Sequence, residues 1–122
     1  MKVSLAIKST VVFICLIKVL VVSSIAVADD MKISKDEAWK KIRSGALLVD
    51  VRSPEEYQTH VEGAVNIPYD NVKERLAEFG EDKNREIVLY CKSGRRAGIA
   101  KTVLTGNGYT HVFNAGGYSD LE

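Results

Sequence analysis

The fold is indicated most clearly by residues 86–104, which read EIVLYCKSGRRAGIAKTVL. Residues 86–90 form a short, mostly apolar run, which is typical of a strand buried on both faces of a sheet. From Ala97 onward, apolar residues recur at spacings of three and four, which is typical of a helix with one buried face. The six residues between them, 91–96, are therefore predicted to form a loop that leads from the end of a strand into a helix.

The sequence on either side continues this alternation. Two predicted helix starts carry a capping box, a serine followed three residues later by a glutamate: Ser34 with Glu37, and Ser53 with Glu56. Such alternation predicts one α/β domain with a mostly parallel sheet covered by helices. The other predicted helices and strands cover residues 34–45, 46–51, 53–60, 64–67, 72–79 and 111–114, with a turn at 115–117.

The first 28 residues differ from the rest. They contain three lysines and no acidic residue, are largely apolar, and end in Ala26-Val27-Ala28. This pattern predicts a cleavable signal peptide over residues 1–28, cut after Ala28, and a periplasmic domain over residues 29–122. An uncleaved membrane anchor is the alternative, but Lys18 divides the apolar stretch into runs too short to span a bilayer. No membrane attachment is expected after cleavage.

The charge balance excludes one class of partner. The chain has 17 basic and 16 acidic residues, and without the three N-terminal lysines 14 basic residues face 16 acidic ones. A nucleic-acid-binding domain usually carries a strong excess of basic residues, so no nucleic-acid partner is expected. We expect a monomer.

Cys91 lies at the predicted junction of strand and loop, and it is the only cysteine of the predicted mature chain. Loop amides, the start of the next helix and the cations Lys92, Arg95 and Arg96 should all favour its thiolate. Gly94 allows the backbone to wrap closely around a small group. These features predict a reactive nucleophile rather than a structural thiol.

The same positive charges indicate an anionic substrate that can transfer a group to a thiolate. Thiosulfate fits this description as a small anionic sulfur donor. The thiolate would attack its outer sulfur, sulfite would leave, and the persulfide on Cys91 would pass its sulfur to a thiophilic acceptor such as cyanide or a thiol. This is covalent catalysis in two steps, and it needs no metal ion or organic cofactor.

Five motifs resemble, in the same order, those of the rhodanese-domain sulfurtransferase family. They are LVDVR at 48–52, EY at 56–57, HVEGAVNIP at 60–68, CKSGRR at 91–96 and GG at 116–117. The resemblance covers about residues 34–120 and is greatest to the single-domain periplasmic type. It implies a single rhodanese-like domain with an open parallel sheet of about five strands, helices on both faces, and a closing helix that begins around residues 118–120.

The resemblance also implies roles for individual residues. Cys91 would carry the persulfide, and the substrate would be bound by the loop amides and the last arginine, with the binding residues Lys92, Ser93, Gly94, Arg95 and Arg96. Asp50, Arg52 and His60 are interpreted as structural support for the pocket, the first two as an ion pair or cap that fixes the loops around it. Two histidines far apart, without acidic partners at ligand spacing, do not predict a metal site. Six glutamates are interpreted as solvated surface: Glu55, Glu56, Glu62, Glu74, Glu78 and Glu81.

Three alternatives use the same kind of loop. A cysteine phosphatase or arsenate reductase would have arginine as the sixth residue after the cysteine, but Arg96 is the fifth residue after Cys91. A thiol–disulfide oxidoreductase would have a second cysteine near the first, and the predicted mature chain has none. A non-catalytic persulfide carrier or binding module stays open at this point.

The N-terminal pattern generates the first testable prediction. Full-length protein expressed in a Gram-negative cell should be recovered outside the cytoplasm, with Asp29 as its new N-terminus. N-terminal sequencing of the periplasmic fraction measures this. Recovery of the uncleaved chain alone, in the membrane fraction, would favour the anchor instead.

Overall fold

The computed structural model describes residues 31–122, so the predicted signal peptide lies outside the described residues. No helix within residues 31–122 is long and apolar enough to cross a membrane. The elements are α1 (Lys35–Arg43), β1 (Leu47–Asp50), α2 (Pro54–Tyr57), β2 (Val65–Asn66), β3 (Glu86–Cys91), α3 (Arg95–Gly106), β4 (His111–Gly117) and α4 (Tyr118–Leu121), with 3-10 turns at Tyr69–Asn71 and Leu76–Phe79.

The first two helices begin where their serines predict. The Ser34 hydroxyl accepts a hydrogen bond from the Glu37 amide and thereby caps α1. At α2 the capping box is complete, because the Ser53 hydroxyl accepts from the Glu56 amide while the Glu56 carboxylate accepts from the Ser53 amide. Each cap gives a partner to an amide that has none within the helix.

Four parallel strands form the sheet, in the order β2-β1-β3-β4. Beyond β4, Lys32 adds a single parallel bridge to Asn114. The predicted open parallel sheet is therefore confirmed, and its count of about five corresponds to four strands and this bridge. Because all four strands are parallel, their carboxyl ends lie at one edge, where ligands bind in open α/β sheets.

The period of two along β3 divides the core between the two faces of the sheet. Ile87, Leu89 and Cys91 belong to the cluster that includes Ala97, Ala100 and Leu104 of α3. Val88 and Tyr90 belong to the cluster on the opposite face, which includes Ala38 of α1 and Leu121 of α4. Both faces of β3 are thus covered, which explains its apolar sequence.

Two local predictions are wrong. Residues 72–79 do not form a helix, since the structure has turns there and a 3-10 segment over Leu76–Phe79. Val72 and Phe79 are nonetheless fully buried. The spacing of the apolar residues therefore predicted which side chains are buried, but not the backbone conformation of the segment. The predicted turn at 115–117 instead continues β4, because Gly117 pairs with Cys91 across a register shift.

A buried network holds the carboxyl ends of β1 and β3 together. Asp50 is fully buried and accepts hydrogen bonds from the Arg52 amide and guanidinium and, at 2.9 Å, from the Tyr90 hydroxyl. The same hydroxyl accepts from the Val61 amide at 3.0 Å, and the Arg52 guanidinium also donates to the Thr59 carbonyl. Burial raises the pKa of Tyr90, so its hydroxyl keeps the proton that it donates.

This network predicts a large effect of Tyr90→Phe on stability. The substitution keeps the ring but leaves the buried Val61 amide without a partner and removes one of the hydrogen bonds that Asp50 accepts. We expect a loss of about 1–3 kcal/mol of unfolding free energy, measured by urea denaturation. Tyr69→Phe is the matched control, because the Tyr69 hydroxyl makes no hydrogen bond within residues 31–122. Equal losses in the two variants would contradict this role of Tyr90.

Candidate active site

The predicted active loop lies where β3 ends and α3 begins. Cys91 is the last residue of β3 and is fully buried, and Gly94 is the N-cap of α3. The Gly94 amide donates a hydrogen bond to Cys91 Sγ at 3.0 Å. Amides of the first turn of α3 have no acceptor within the helix, so this end of α3 provides donors and partial positive charge beside the sulfur. The Cys91 sulfur therefore lies beside a hydrogen-bond donor and the N-terminus of a helix.

The conformation of Gly94 explains why glycine stands there. Its φ of +100° lies in the left-handed region, where a side chain is strained. A Cβ would also lie 2.5 Å from Lys32 Cε and 3.2 Å from Gly116 Cα. Gly94 thus lets two other segments approach the loop closely.

Asn114 of β4 holds the loop in place through hydrogen bonds of its side chain. Its side-chain amide donates to the Gly94 carbonyl, and its side-chain oxygen accepts from the Gly116 amide, both at 2.9 Å. Asn114 is buried, which makes these contacts costly to lose. The motif residue Gly117 allows the loop to cross β4, because a Cβ at this position would overlap the Lys92 carbonyl.

The structure corrects the interpretation of Glu56 as a solvated surface residue. Its carboxylate accepts two hydrogen bonds from the Arg96 guanidinium, at 2.8 and 3.1 Å, and the pair is only partly exposed. These hydrogen bonds lower the pKa of Glu56 to about 2 and raise the pKa of Arg96. The arginine expected to bind the substrate anion is thus held by a carboxylate of α2.

Three of the other four predicted loop residues are exposed to solvent. Lys92, Ser93 and Arg95 are exposed, whereas Gly94 is buried. A cleft of about 340 Å³ opens beside Lys92 and is also lined by Arg52, Glu56, Tyr118 and Ser119. The Arg52 guanidinium lies 4.9 Å from the centre of the Tyr118 ring, so α4 forms one wall of the cleft. The loop therefore adjoins a space that can hold a small molecule.

The predicted supporting residues lie in two places. Asp50 and Arg52 form the buried ion pair described above, at the same edge of the sheet as the loop. His60 is exposed, stacks on Tyr57 with ring centres 3.9 Å apart, and makes a ring-nitrogen contact of 2.6 Å to the Tyr57 carbonyl. These two contacts with Tyr57 stabilise the turn after α2 rather than the active loop.

Sequence reasoning missed three residues of this site: Lys32, Glu56 as the partner of Arg96, and Asn114. Lys32 donates to the Ser93 carbonyl at 2.8 Å from a position 61 residues away in sequence. Glu56 stands in the EY motif, so its place in the motif was a signal for a role at the site. Lys32 and Asn114 carried no such signal, because they meet the loop only through the folding of the chain.

The fold and the loop of residues 31–122 define a rhodanese-like domain. The Rhodanese-like domain family model matches residues 34–122, so this chain belongs to that family. It is 54% identical over 74 residues to the thiosulfate sulfurtransferase PspE of Escherichia coli, which covers 60% of this chain and 71% of that protein. The predicted similarity to the single-domain type, that of phage shock protein E, is confirmed.

Two further relatives show the same likeness. A solved structure described as a rhodanese with anions from E. coli is 52% identical, with a TM-score of 0.59, and the match covers 62% of this chain and 91% of that one. A thiosulfate:glutathione sulfurtransferase of Saccharomyces cerevisiae is 35% identical over 78 residues, which covers 54% of this chain and 56% of that protein.

The crossing of the loop over β4 generates a prediction for Gly117→Ala. The φ of Gly117 is −105°, so alanine adds no backbone strain, and its methyl group acts only by displacing Lys92 and the loop. We expect a loss of about 1–3 kcal/mol of unfolding free energy and faster alkylation of Cys91 as the loop opens.

Gly106→Ala is the matched control. No atom lies within 4 Å of a Cβ at this exposed end of α3, so alanine should leave stability unchanged or raise it by up to about 1 kcal/mol. Urea denaturation and alkylation rates measure both variants. Wild-type values for Gly117→Ala would show that the loop does not rest on β4 in this way.

Proposed function

We propose that this protein is a thiosulfate sulfurtransferase that carries the transferred sulfur as a persulfide on Cys91. The observation that carries the proposal is the hydrogen bond from the Gly94 amide to Cys91 Sγ at the start of α3, in a chain of the rhodanese-like family. A donor amide and a helix N-terminus directed at one sulfur favour the negative charge that a nucleophilic thiol needs. Two relatives, PspE of E. coli and the thiosulfate:glutathione sulfurtransferase of S. cerevisiae, are named for the same donor.

In the first half-reaction, the Cys91 thiolate attacks the outer sulfur of thiosulfate. The new S–S bond forms as the old one breaks, and sulfite leaves with the bonding electron pair. In the second half-reaction a thiophilic acceptor attacks the outer sulfur of the persulfide, and the thiolate is regenerated. Both steps place negative charge beside the loop, where the α3 amides and the cations of residues 92–96 stabilise it.

In this proposal Arg96 binds the donor anion, and Glu56 orients the Arg96 guanidinium. A guanidinium has five N–H donors, so the two hydrogen bonds to Glu56 leave others for an oxyanion. The pairing also keeps Arg96 from extending into solvent, which reduces the entropy lost when the anion binds. Lys92 and Arg95 are exposed and act mainly through the long-range field that attracts the anion.

Export is part of the proposal. We infer that residues 1–28 direct the chain out of the cytoplasm, so that sulfur transfer takes place in the periplasm. An unpaired cysteine in such a compartment is unusual. Within residues 31–122 Cys91 has no other cysteine with which to form a disulfide, which supports its survival as a free thiol there.

The second candidate is a persulfide carrier that does not turn over. A putative sulfur carrier protein YrkF of Bacillus subtilis is 40% identical over 68 residues, which is 36% of that protein. A carrier would take one sulfur from thiosulfate and release it only to a specific partner. Catalytic turnover with excess thiosulfate and cyanide therefore separates the two functions.

The test is intact mass spectrometry of the protein before and after thiosulfate, and again after cyanide. We expect a gain of one sulfur atom that cyanide removes as thiocyanate, with repeated turnover when both are in excess. Cys91→Ser should form neither persulfide nor thiocyanate. Because Cys91 is fully buried and serine is polar, Cys91→Ala serves as a second variant with a smaller desolvation cost.

Wild-type turnover in either folded variant would exclude the covalent mechanism. Persulfide formation without turnover would favour the carrier.

A further inference from the structure

The segment before α1 reaches the active loop. The Ile33 amide donates to the Asn114 carbonyl at 2.9 Å, and Lys32 forms its parallel bridge to the same residue. The Asn114 side chain in turn donates to the Gly94 carbonyl. One residue of β4 therefore fixes both the backbone that carries Lys32 and the loop that holds Cys91.

This arrangement places the Lys32 ammonium on one particular peptide group. Lys32 Nζ donates to the Ser93 carbonyl at 2.8 Å, and the Gly94 amide donates to Cys91 Sγ at 3.0 Å. The Ser93 carbonyl and the Gly94 amide belong to the same planar peptide, in which they point in opposite directions. A single peptide thus joins the ammonium at one end to the sulfur at the other.

We propose that Lys32 is a positioning residue for the sulfurtransferase reaction, acting on Cys91 through the Ser93–Gly94 peptide. A cation on the carbonyl oxygen draws electron density from the amide and makes its N–H a stronger donor, because hydrogen bonds in a chain polarise one another. The contact also holds the peptide in the orientation that directs this N–H at the sulfur. Both effects stabilise the thiolate and so raise the fraction of Cys91 that can attack the donor.

The role depends on positive charge, and this distinguishes it from simple packing. Other charged groups surround the loop: Lys92, Arg95 and Arg96 on the loop and α3, Glu56 on α2, Asp120 on α4, and the Asp50, Arg52 and Tyr90 network. All of them remain when Lys32 alone is replaced. A change in the behaviour of Cys91 then reports the removal of the ammonium.

The experiment compares Lys32→Met, Lys32→Arg and Lys35→Met in the mature protein. Methionine keeps most of the length of the lysine side chain but cannot donate, and arginine restores a charged donor. Lys35→Met is the matched control, because Lys35 is also exposed and donates to a main-chain oxygen, that of Glu122, outside residues 91–96. Two rates are measured: alkylation of Cys91 by neutral iodoacetamide across pH, and persulfide formation with thiosulfate.

For Lys32→Met we expect the midpoint of the alkylation profile to move upward by roughly half to one pH unit. At a pH below both midpoints this shift lowers the thiolate fraction about three- to tenfold. Persulfide formation there should slow about two- to fourfold, because the remaining thiolate becomes more nucleophilic as its affinity for the proton rises. Lys32→Arg should restore most of the wild-type alkylation midpoint and most of the wild-type rate of persulfide formation. Lys35→Met should match the wild type in both measurements. Urea denaturation should show similar stability for all four proteins.

An unchanged alkylation profile in a folded Lys32→Met variant would overturn the proposal, as would the same shift in Lys35→Met. The inference rests on the proposed function only for the second rate. If the wild type forms no persulfide, the proposed function fails, while the alkylation profile still decides whether Lys32 acts on Cys91.

Discussion

The hydrogen bond between the Gly94 amide and Cys91 Sγ is the contact on which the site depends. It requires the chain to turn from β3 into α3 within three residues, and only a residue that tolerates a positive φ can occupy the turn. The turn leaves no room for a side chain at Gly94 or Gly117. Gly94 and Gly117 lie 23 positions apart in the sequence, and the same hydrogen bond depends on both. Gly94 provides the backbone conformation of the turn, and Gly117 leaves room for the loop to cross β4.

The rest of the fold keeps this turn rigid. β3 is covered on both faces by separate apolar clusters, so its end cannot move without exposing core residues. The Asp50, Arg52 and Tyr90 network fixes the neighbouring strand end with a fully hydrogen-bonded ion pair, and no buried side-chain nitrogen or oxygen within residues 31–122 lacks a partner. A buried pair of this kind adds little net stability, but breaking it is costly, so it favours one arrangement of the strand ends.

Electrostatics at the loop is set by residues that are distant in sequence. Glu56 partly neutralises Arg96 and holds its guanidinium in place, while Lys32 adds a cation at the Ser93 carbonyl of the loop. The loop thus carries positive charge, although Arg96 is paired with a carboxylate and Lys32 is hydrogen-bonded to the loop backbone. This arrangement suits a site that must attract an anion and release another after each transfer.

The sequence by itself determined the α/β class, both serine caps, the strand–loop–helix around Cys91 and the ion pair of Asp50 with Arg52. These features are local, since they follow from caps, apolar periodicity and motif spacing over a few residues. Only the tertiary structure decided that residues 72–79 form turns, that β4 continues through Gly117, and that Glu56, Asn114 and Lys32 meet the loop. Those contacts join residues from 20 to 61 positions apart, and no local pattern encodes which of many exposed charges will face each other once the sheet has formed.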